Sequence, residues 1–439
     1  MDKRHLMDKV LVFSPKKSTR LMYVLEYFSS VLELHFCHTD NFEVFRNATD
    51  IRVNYSAISF ENVLQILPVE LLFENDIHSQ KIACSEWHNL PCFFVTNKKN
   101  NDIPFDVFAA TFYLITRYEE YLTIDFDEHG RFSHKRSLAF QNGFLQRPIA
   151  DLWAFELLKL LNPDHKIERK FEFLPTIDVD NFYKYRRKGL FGSMFLFAKA
   201  LLKVDFADAK TRLKVLLRKQ EDPFFNFDDI LDLHCDFDLV PRFFFHVGGC
   251  GRFDKKVLFP MHSKRYNNAI RQIAQVAHVG IHPSYNAAFS EGNFWNEKKR
   301  LEKIVGRNVC RNRFHFLRFQ LPESYRMLVK YGIKSDYSML YANELGFRAG
   351  TSLPFMFFDL KENKKSSLKI YPTAIMDTTL LKKMHLGIDN LSNLANEMMS
   401  DVIKTKGVFV TLFHNEHLAN NFILDFYKKM LKTHVDKNV

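Results

Sequence analysis

FEFLPTIDVDNFYKY, residues 171–185, is the stretch that decides the fold. Its first half is short, apolar and rich in residues that favour strands, so it predicts a buried strand over 171–177. The strand runs directly into two carboxylates, Asp178 and Asp180, which share one face if the strand continues, because side chains alternate with a period of 2. Two neighbouring acids repel each other, so we expect the site to hold a cation or to keep one acid protonated. A turn in which aspartate caps the backbone is the structural alternative.

Strand and helix patterns alternate from residue 171 onward, which is typical of an α/β domain with a parallel sheet. About seven such units predict a distorted (β/α) barrel over 166–439, preceded by a smaller α+β domain over 1–165. In the first part of the chain we predict a strand over 10–13 and a helix over 104–122. The strands predicted for the barrel cover residues 171–177, 242–247, 279–281, 314–317, 337–341, 368–370 and 408–413.

Polar residues gather where these apolar strands end. Asp178 and Asp180 follow the first barrel strand, His282 the third, Arg318 the fourth and His414 the last. Chemistry in a barrel of this kind lies at the carboxyl ends of the strands, so we expect these side chains to meet at one rim. A structural histidine, a turn or an ion pair is the alternative interpretation for each residue alone.

Composition and charge bound the class of protein. Six cysteines without a CxxC pair argue against a zinc ribbon or a disulfide framework and favour a reducing compartment. The N-terminus lacks an apolar signal segment, and nowhere do about 18 apolar residues follow one another, so we expect a cytoplasmic protein. No GxSxG elbow is present, which argues against a serine hydrolase.

The formal net charge of +11 is concentrated between residues 186 and 219, where ten Lys and Arg accompany two Asp. No nucleic-acid reading motif accompanies this charge, so we expect no nucleic-acid partner. Apolar residues from Leu190 to Leu201 give the segment a second, hydrophobic side. That combination suits a helix lying on an anionic membrane at the inner face, and packing against the protein is the alternative.

The same residues resemble the polysaccharide deacetylases of the NodB-homology class, carbohydrate esterase family 4, over about 171–433. The motifs that carry this likeness are TIDVD at 176–180, PRFFFHVG at 241–248, HVGIHPS at 278–284, Arg318 followed by Pro322, and LFHN at 412–415. The whole chain is similar to a Bacteroidetes-type subgroup in which an N-terminal region of about 170 residues precedes the barrel. FYLITRYEE at 112–120, GFRAG at 346–350 and MDTTL at 376–380 carry that closer likeness.

The resemblance implies a role for each rim residue. Asp178 is expected to be the catalytic base, oriented by Arg318, and His414 the general acid. Asp180 and His282 are expected to bind a divalent metal, with zinc preferred over cobalt, nickel or manganese. The resemblance further assigns substrate binding to Pro322, Asp336 and Arg348.

One position departs from the family pattern. The second motif of the family supplies another histidine four residues after the first, and this chain has Asn286 there. An amide oxygen is a poorer zinc ligand than imidazole, although harder cations accept it. The third ligand is then Asn286, His246 or His278, or the site is weak or empty.

These observations predict a metal-dependent hydrolase that removes an acetyl group from an N-acetylated sugar or glycan, whether free, lipid-linked or polymeric. The alternative is a catalytically silent glycan-binding or assembly protein that keeps the barrel with an impaired metal site.

Overall fold

A computed structural model describes residues 8–96, 103–185, 206–249, 252–254 and 263–438. Its strands are β1 (Lys9–Phe13), β2 (His35–Thr39), β3 (Ile51–Asn54), β4 (Leu64–Gln65), β5 (Ser85–Trp87), β6 (Leu90–Cys92), β7 (Glu172–Val179), β8 (Arg242–Phe245), β9 (His278–Ile281), β10 (Arg311–Asn312), β11 (Ser335–Asp336), β12 (Phe355–Asp359), β13 (Lys364–Ile370), β14 (Thr373–Met376) and β15 (Val408–His414). Its helices are α1 (Thr19–Leu32), α2 (Phe42–Asn47), α3 (Val107–Ile115), α4 (Leu138–Gln141), α5 (Ile149–Leu161), α6 (Phe206–Leu216), α7 (Phe227–Cys235), α8 (Lys264–Val276), α9 (Glu291–Val305), α10 (Glu323–Lys330), α11 (Asp377–Lys382), α12 (Ile388–Lys404), α13 (Asn415–Leu418) and α14 (Asn421–Asn438).

One compact unit, unit 1, contains Met1–Glu172, Phe319–Ala374 and Glu397–Phe409. It begins with a parallel sheet of order β2-β1-β3-β4. The side chain of Ser18 caps helix α1 by accepting a hydrogen bond from the backbone N–H of Leu21, and α1 follows β1 as a crossover helix.

The second compact unit, unit 2, contains Phe173–Arg318, Ile375–Asn396 and Val410–Val439. The order of its strands is β10-β9-β8-β7-β15-β14, and β7, β8, β9 and β10 run parallel. Residues 173–179 of β7 are all buried, as expected for a parallel strand covered on both faces. Because a side-chain carbon at Gly280 of β9 would lie 2.5 Å from the ring of Phe244, only glycine fits against that ring. The carboxyl ends of the four parallel strands lie at one edge of the sheet.

The mixed α/β architecture is confirmed, and β7, β8, β9, β13 and β15 lie where strands were predicted. The strand predicted over 314–317 is wrong, since the chain turns there and Phe316 adopts a φ of +59°, which a strand does not allow. The strand predicted over 337–341 is also wrong, because β11 ends at Asp336, whose carboxylate accepts hydrogen bonds from Ser338. The helix predicted over 104–122 is shorter, since Arg117 takes a φ of +57° soon after α3 ends.

The closed barrel of about seven strands and the separate N-terminal domain stay predictions. The boundary at 165/166 stays a prediction too, and the compact units group residues 319–374 with the N-terminal part of the chain. Within the described ranges, no helix is long and apolar enough to cross a membrane. Residues 186–205 of the basic segment lie outside the described residues, so the interfacial helix stays a prediction.

Candidate metal centre and active site

Three side chains converge at the carboxyl edge of the sheet in unit 2. Asp180 follows β7, His282 follows β9, and His315 lies in the turn after β10. The Nε2 atom of His282 lies 3.1 Å from Oδ1 of Asp180, and Nε2 of His315 lies 3.3 Å from Oδ2 of the same carboxylate. The ligand atoms of all three residues lie within 4.8 Å of one another. Two imidazoles and one carboxylate therefore surround a common point.

The opposite ring nitrogens fix the tautomer of both histidines. Nδ1 of His282 lies 2.7 Å from the carbonyl oxygen of Arg313, and Nδ1 of His315 lies 3.0 Å from Oδ1 of Asp254. A carbonyl or carboxylate oxygen only accepts, so Nδ1 carries the hydrogen in each neutral ring and Nε2 turns a lone pair toward Asp180. Lone pairs that face a carboxylate repel it unless a metal ion lies between them or one of the rings takes up a proton. Oδ1 of Asp180 and Nε2 of His282 accordingly have no hydrogen-bond partner among the described residues.

The electrostatics of the group lead to the same conclusion. Burial opposes the charge on Asp180, but His315 and His282 outweigh it and hold the pKa of Asp180 well below its usual range. Burial likewise lowers the pKa of His315, but Asp180 and Asp254 outweigh it and raise that pKa to about 9. The site therefore concentrates negative charge that a proton or a metal ion must balance. Nitrogen and carboxylate donors in this number suit zinc and its divalent neighbours.

Asp178 lies beside this group and is held by a buried arginine. Nη1 of Arg313 donates to Oδ1 of Asp178 over 3.1 Å and to the hydroxyl of Thr176 over 2.6 Å. The other carboxylate oxygen of Asp178 lies 3.8 Å from Nε2 of His282. The arginine that holds Asp178 is thus Arg313, and the role predicted for Arg318 stays a prediction. Arg318 donates to the carbonyl oxygen of Tyr285 over 2.7 Å, and its guanidinium stacks on the Tyr285 ring at 4.1 Å.

A second carboxylate and histidine pair completes the site. Nδ1 of His414, at the end of β15, donates to Oδ1 of Asp377 over 2.7 Å, and its backbone N–H donates to Oδ2. Burial would lower the pKa of His414, but Asp377 outweighs it and raises that pKa to about 10. Nε2 of His414 lies 3.9 Å from Oδ2 of Asp180. His414 therefore carries a proton at neutral pH and directs an N–H toward Asp180.

His315, Arg313 and Asp254 were missed by the sequence interpretation. His315 and its neighbours fell inside a predicted strand, where a histidine is read as a core residue. The polar pair Arg313 and His315, two residues apart in the sequence, is the signal that could have indicated these two residues, whereas Asp254 left none.

The three candidates for the third ligand lie at different places. His278 is exposed at the start of β9, the opposite end from His282. His246 is buried, and its Nδ1 donates to the carbonyl oxygen of His282 over 2.9 Å. Asn286 is exposed before the turn Ala287–Phe289, and its role as a ligand stays a prediction, while His315 occupies the position opposite His282.

The residues predicted to bind substrate belong to unit 1. The guanidinium of Arg348 is buried and donates to both carboxylate oxygens of Glu120, over 2.8 and 2.6 Å. Asp336 is buried and accepts from the hydroxyl of Tyr325 over 3.0 Å. Both side chains thus have polar partners inside unit 1, and their predicted contact with substrate stays a prediction. Pro322 directly precedes α10, and its role stays a prediction.

Comparison with known proteins finds one family model and several solved structures of low sequence identity. A family model described as "Family of unknown function (DUF7033)" matches residues 10–166. The search of curated proteins finds no match. A Mycobacterium smegmatis structure assigned to the polysaccharide deacetylases is 12% identical, with a TM-score of 0.39, over 61% of this chain and 84% of its own.

Two further solved structures show a similar likeness. The allantoinase PuuE is 11% identical, with a TM-score of 0.39, over 62% of this chain and 87% of its own. A Pseudomonas aeruginosa PAO1 structure assigned to the polysaccharide deacetylases is 8% identical, with a TM-score of 0.39, over 60% of this chain and 84% of its own. At these values, function has to be inferred from the site itself.

Proposed function

We propose that this protein is a metal-dependent hydrolase that removes the acetyl group from an N-acetylated sugar or glycan. The observation that carries the proposal is the convergence of Asp180, His282 and His315 with their lone pairs directed at one point. A held carboxylate, Asp178, and a protonated histidine, His414, flank that point. The sugar comes from the likeness of the rim motifs to the deacetylases.

The chemistry divides between these residues. A divalent metal bound by the three ligands would supply a Lewis acid that polarises an amide carbonyl and lowers the pKa of water. Asp178 accepts the proton of the attacking water, because Arg313 occupies Oδ1 and leaves Oδ2 toward the ligands. The carboxylate thus acts as general base from a fixed position.

The leaving group determines the task of His414. An amine departs from a tetrahedral centre only with a proton, and the raised pKa of His414 keeps that proton available at neutral pH. Asp377 holds Nδ1–H, so the ring presents Nε2–H toward the ligands and cannot turn away. Amide hydrolysis needs a general base and a general acid. Here an arginine holds the base and a carboxylate holds the acid.

A deacetylation screen tests the proposal. The purified protein, loaded with zinc, cobalt, nickel or manganese, is incubated with N-acetylated monosaccharides, nucleotide sugars, oligosaccharides and lipid-linked glycans, and released acetate is measured. Acetate release that depends on metal and disappears in Asp178→Asn is the expected result. Glycan binding without acetate release under any metal would instead support the silent binding protein, whose motivation is Asn286 at the usual histidine position.

A further inference from the structure

We propose that Asp254 is a positioning residue that holds His315 in place as the third metal ligand. The inference rests on the metal centre of the proposed function and adds a residue outside every motif quoted above. Asp254 follows β8, whereas His315 follows β10, so the pair joins two separate parts of the sheet edge.

The carboxylate of Asp254 is itself firmly fixed. It is buried, with 2% of its surface exposed, and its Oδ1 accepts the backbone N–H of Tyr285 over 3.1 Å. The same oxygen accepts Nδ1–H of His315 over 3.0 Å. One carboxylate oxygen therefore ties the imidazole to a backbone position only three residues beyond His282.

His315 needs such a support because its backbone lies in a turn. Phe316 and Leu317, the next two residues, have φ values of +59° and +52°, a left-handed conformation that non-glycine residues rarely adopt. A histidine on a regular strand or helix has its direction set by the element, whereas in a turn the direction depends on the contacts that the side chain itself makes. Asp254 supplies the missing constraint.

The charge of Asp254 matters as well as its position. His282 donates Nδ1–H to a neutral backbone carbonyl, that of Arg313, whereas His315 donates to a carboxylate. A carboxylate on Nδ1–H fixes the tautomer and makes Nε2 a stronger donor to a metal. The negative charge therefore strengthens the one ligand that replaces the second-motif histidine.

His246 lies beside both Asp254 and His315. Its Nε2 lies 3.7 Å from Oδ1 of Asp254 and has no hydrogen-bond partner within the described ranges. Its Nδ1 donates to the carbonyl of His282, so Nε2 is an acceptor and cannot bond the carboxylate when the ring is neutral. Its ring centroid lies 5.1 Å from that of His315. We therefore assign His246 to packing against His315, and Asp254 to holding it.

Metal affinity tests the inference without relying on turnover. Zinc and cobalt dissociation constants are measured for the full chain by competition with a chromophoric chelator, together with the cobalt absorption spectrum. Asp254→Ala should weaken binding about 10- to 100-fold, as expected for a lost partner of a ligating histidine. Asp254→Asn keeps an acceptor without the charge and should fall between Ala and the wild type, and Asp254→Glu should restore part of the loss. The cobalt spectrum should change in Asp254→Ala because the His315 ring is released.

Three controls separate the outcomes. Glu302→Gln alters another buried carboxylate, which accepts the backbone N–H of Val309 before β10, and should leave metal affinity unchanged. His315→Gln should lose more affinity than any Asp254 variant, and His246→Gln much less. Unchanged affinity and spectrum in both Asp254→Ala and Asp254→Asn would overturn the positioning role while the metal centre stands. A wild-type chain that binds no metal would overturn the proposed function and this inference with it.

Discussion

His234 ties two helices of unit 2 together in a way that makes stability depend on pH. In α7 its Nδ1 lies 2.6 Å from the carbonyl oxygen of Ile230, and its Nε2 lies 2.6 Å from the hydroxyl of Tyr427 in α14. The carbonyl only accepts, so Nδ1 carries the hydrogen and Nε2 accepts from Tyr427. Burial lowers the pKa of His234 to about 4. The fold therefore requires the neutral ring.

The sign and size of the effect follow from that pKa. Below pH 6.5 the unfolded chain takes up a proton at this histidine, whereas the folded chain does so only below about pH 4. The contribution of His234 is therefore complete above pH 6.5 and is lost as pH falls toward 4. With these two values, linkage gives a loss of about 2 kcal/mol by pH 5 and about 3 kcal/mol by pH 4.

Urea unfolding between pH 7.5 and pH 4.5 measures this loss. His234→Gln should be less stable than the wild type at pH 7.5, because it loses packing and a buried hydrogen bond. The difference in the free energy of unfolding between the wild type and His234→Gln should shrink by about 2 kcal/mol at pH 5, because glutamine takes up no proton at this position. His35→Gln, an exposed control, should follow the wild-type curve. If the wild-type and His234→Gln curves stay parallel across this range, the neutral buried ring is refuted.

Three further predictions concern the site and the basic segment. Asp178→Asn should keep the metal and lose turnover by about 10²- to 10⁴-fold, whereas Asp180→Asn should lose the metal; near-normal acetate release by Asp178→Asn would contradict the base assignment. Arg313→Lys should lower kcat about tenfold or more with KM little changed, and Arg318→Lys should change kcat far less; equal effects in steady-state kinetics would contradict the assignment of Arg313 as the arginine that orients Asp178. Through the segment 186–219, the protein should co-sediment with anionic vesicles at low salt. This binding should be lost at high salt, or after serine replaces three residues of the apolar side of the segment. Equal recovery of the protein in the supernatant with and without vesicles would exclude membrane binding. Those residues are Phe191, Phe195 and Phe197.

Residues that directly follow long apolar strands could be predicted from the sequence. Asp178 lies near the end of the buried β7, Asp180 comes directly after it, and His414 ends the buried β15, so the end of each apolar run marks the sheet edge. His282 follows the short β9, but a proline and a serine after it show that the strand has ended. In each case the periodicity of the strand determines where the side chain lies.

The rest could not be predicted because it depends on short elements and left-handed backbone. β10 has only two residues, so FHFL at 314–317 carried more apolar signal than the strand itself and His315 was read as part of it. The partners of a guanidinium are set by the fold rather than by sequence spacing. Thus Arg313 donates to Asp178 and Arg348 donates to Glu120, each more than one hundred residues away along the chain.

Strand register explains how the centre can keep three ligands although Asn286 replaces a histidine. Thr176 and Asp178 of β7 lie on one face with Asp180, and the pairings of β7 with β8, β8 with β9 and β9 with β10 bring the strand ends into line. Moving a ligand from the turn after β9 to the turn after β10 therefore shifts it by one neighbouring strand, which is about 5 Å. An imidazole spans much of that distance when an acceptor behind it sets its direction, as Asp254 does for His315. The absent histidine of the second motif is thus no argument against metal binding, and the decisive substitution is His315→Gln, which should abolish high-affinity binding in a chain that still folds.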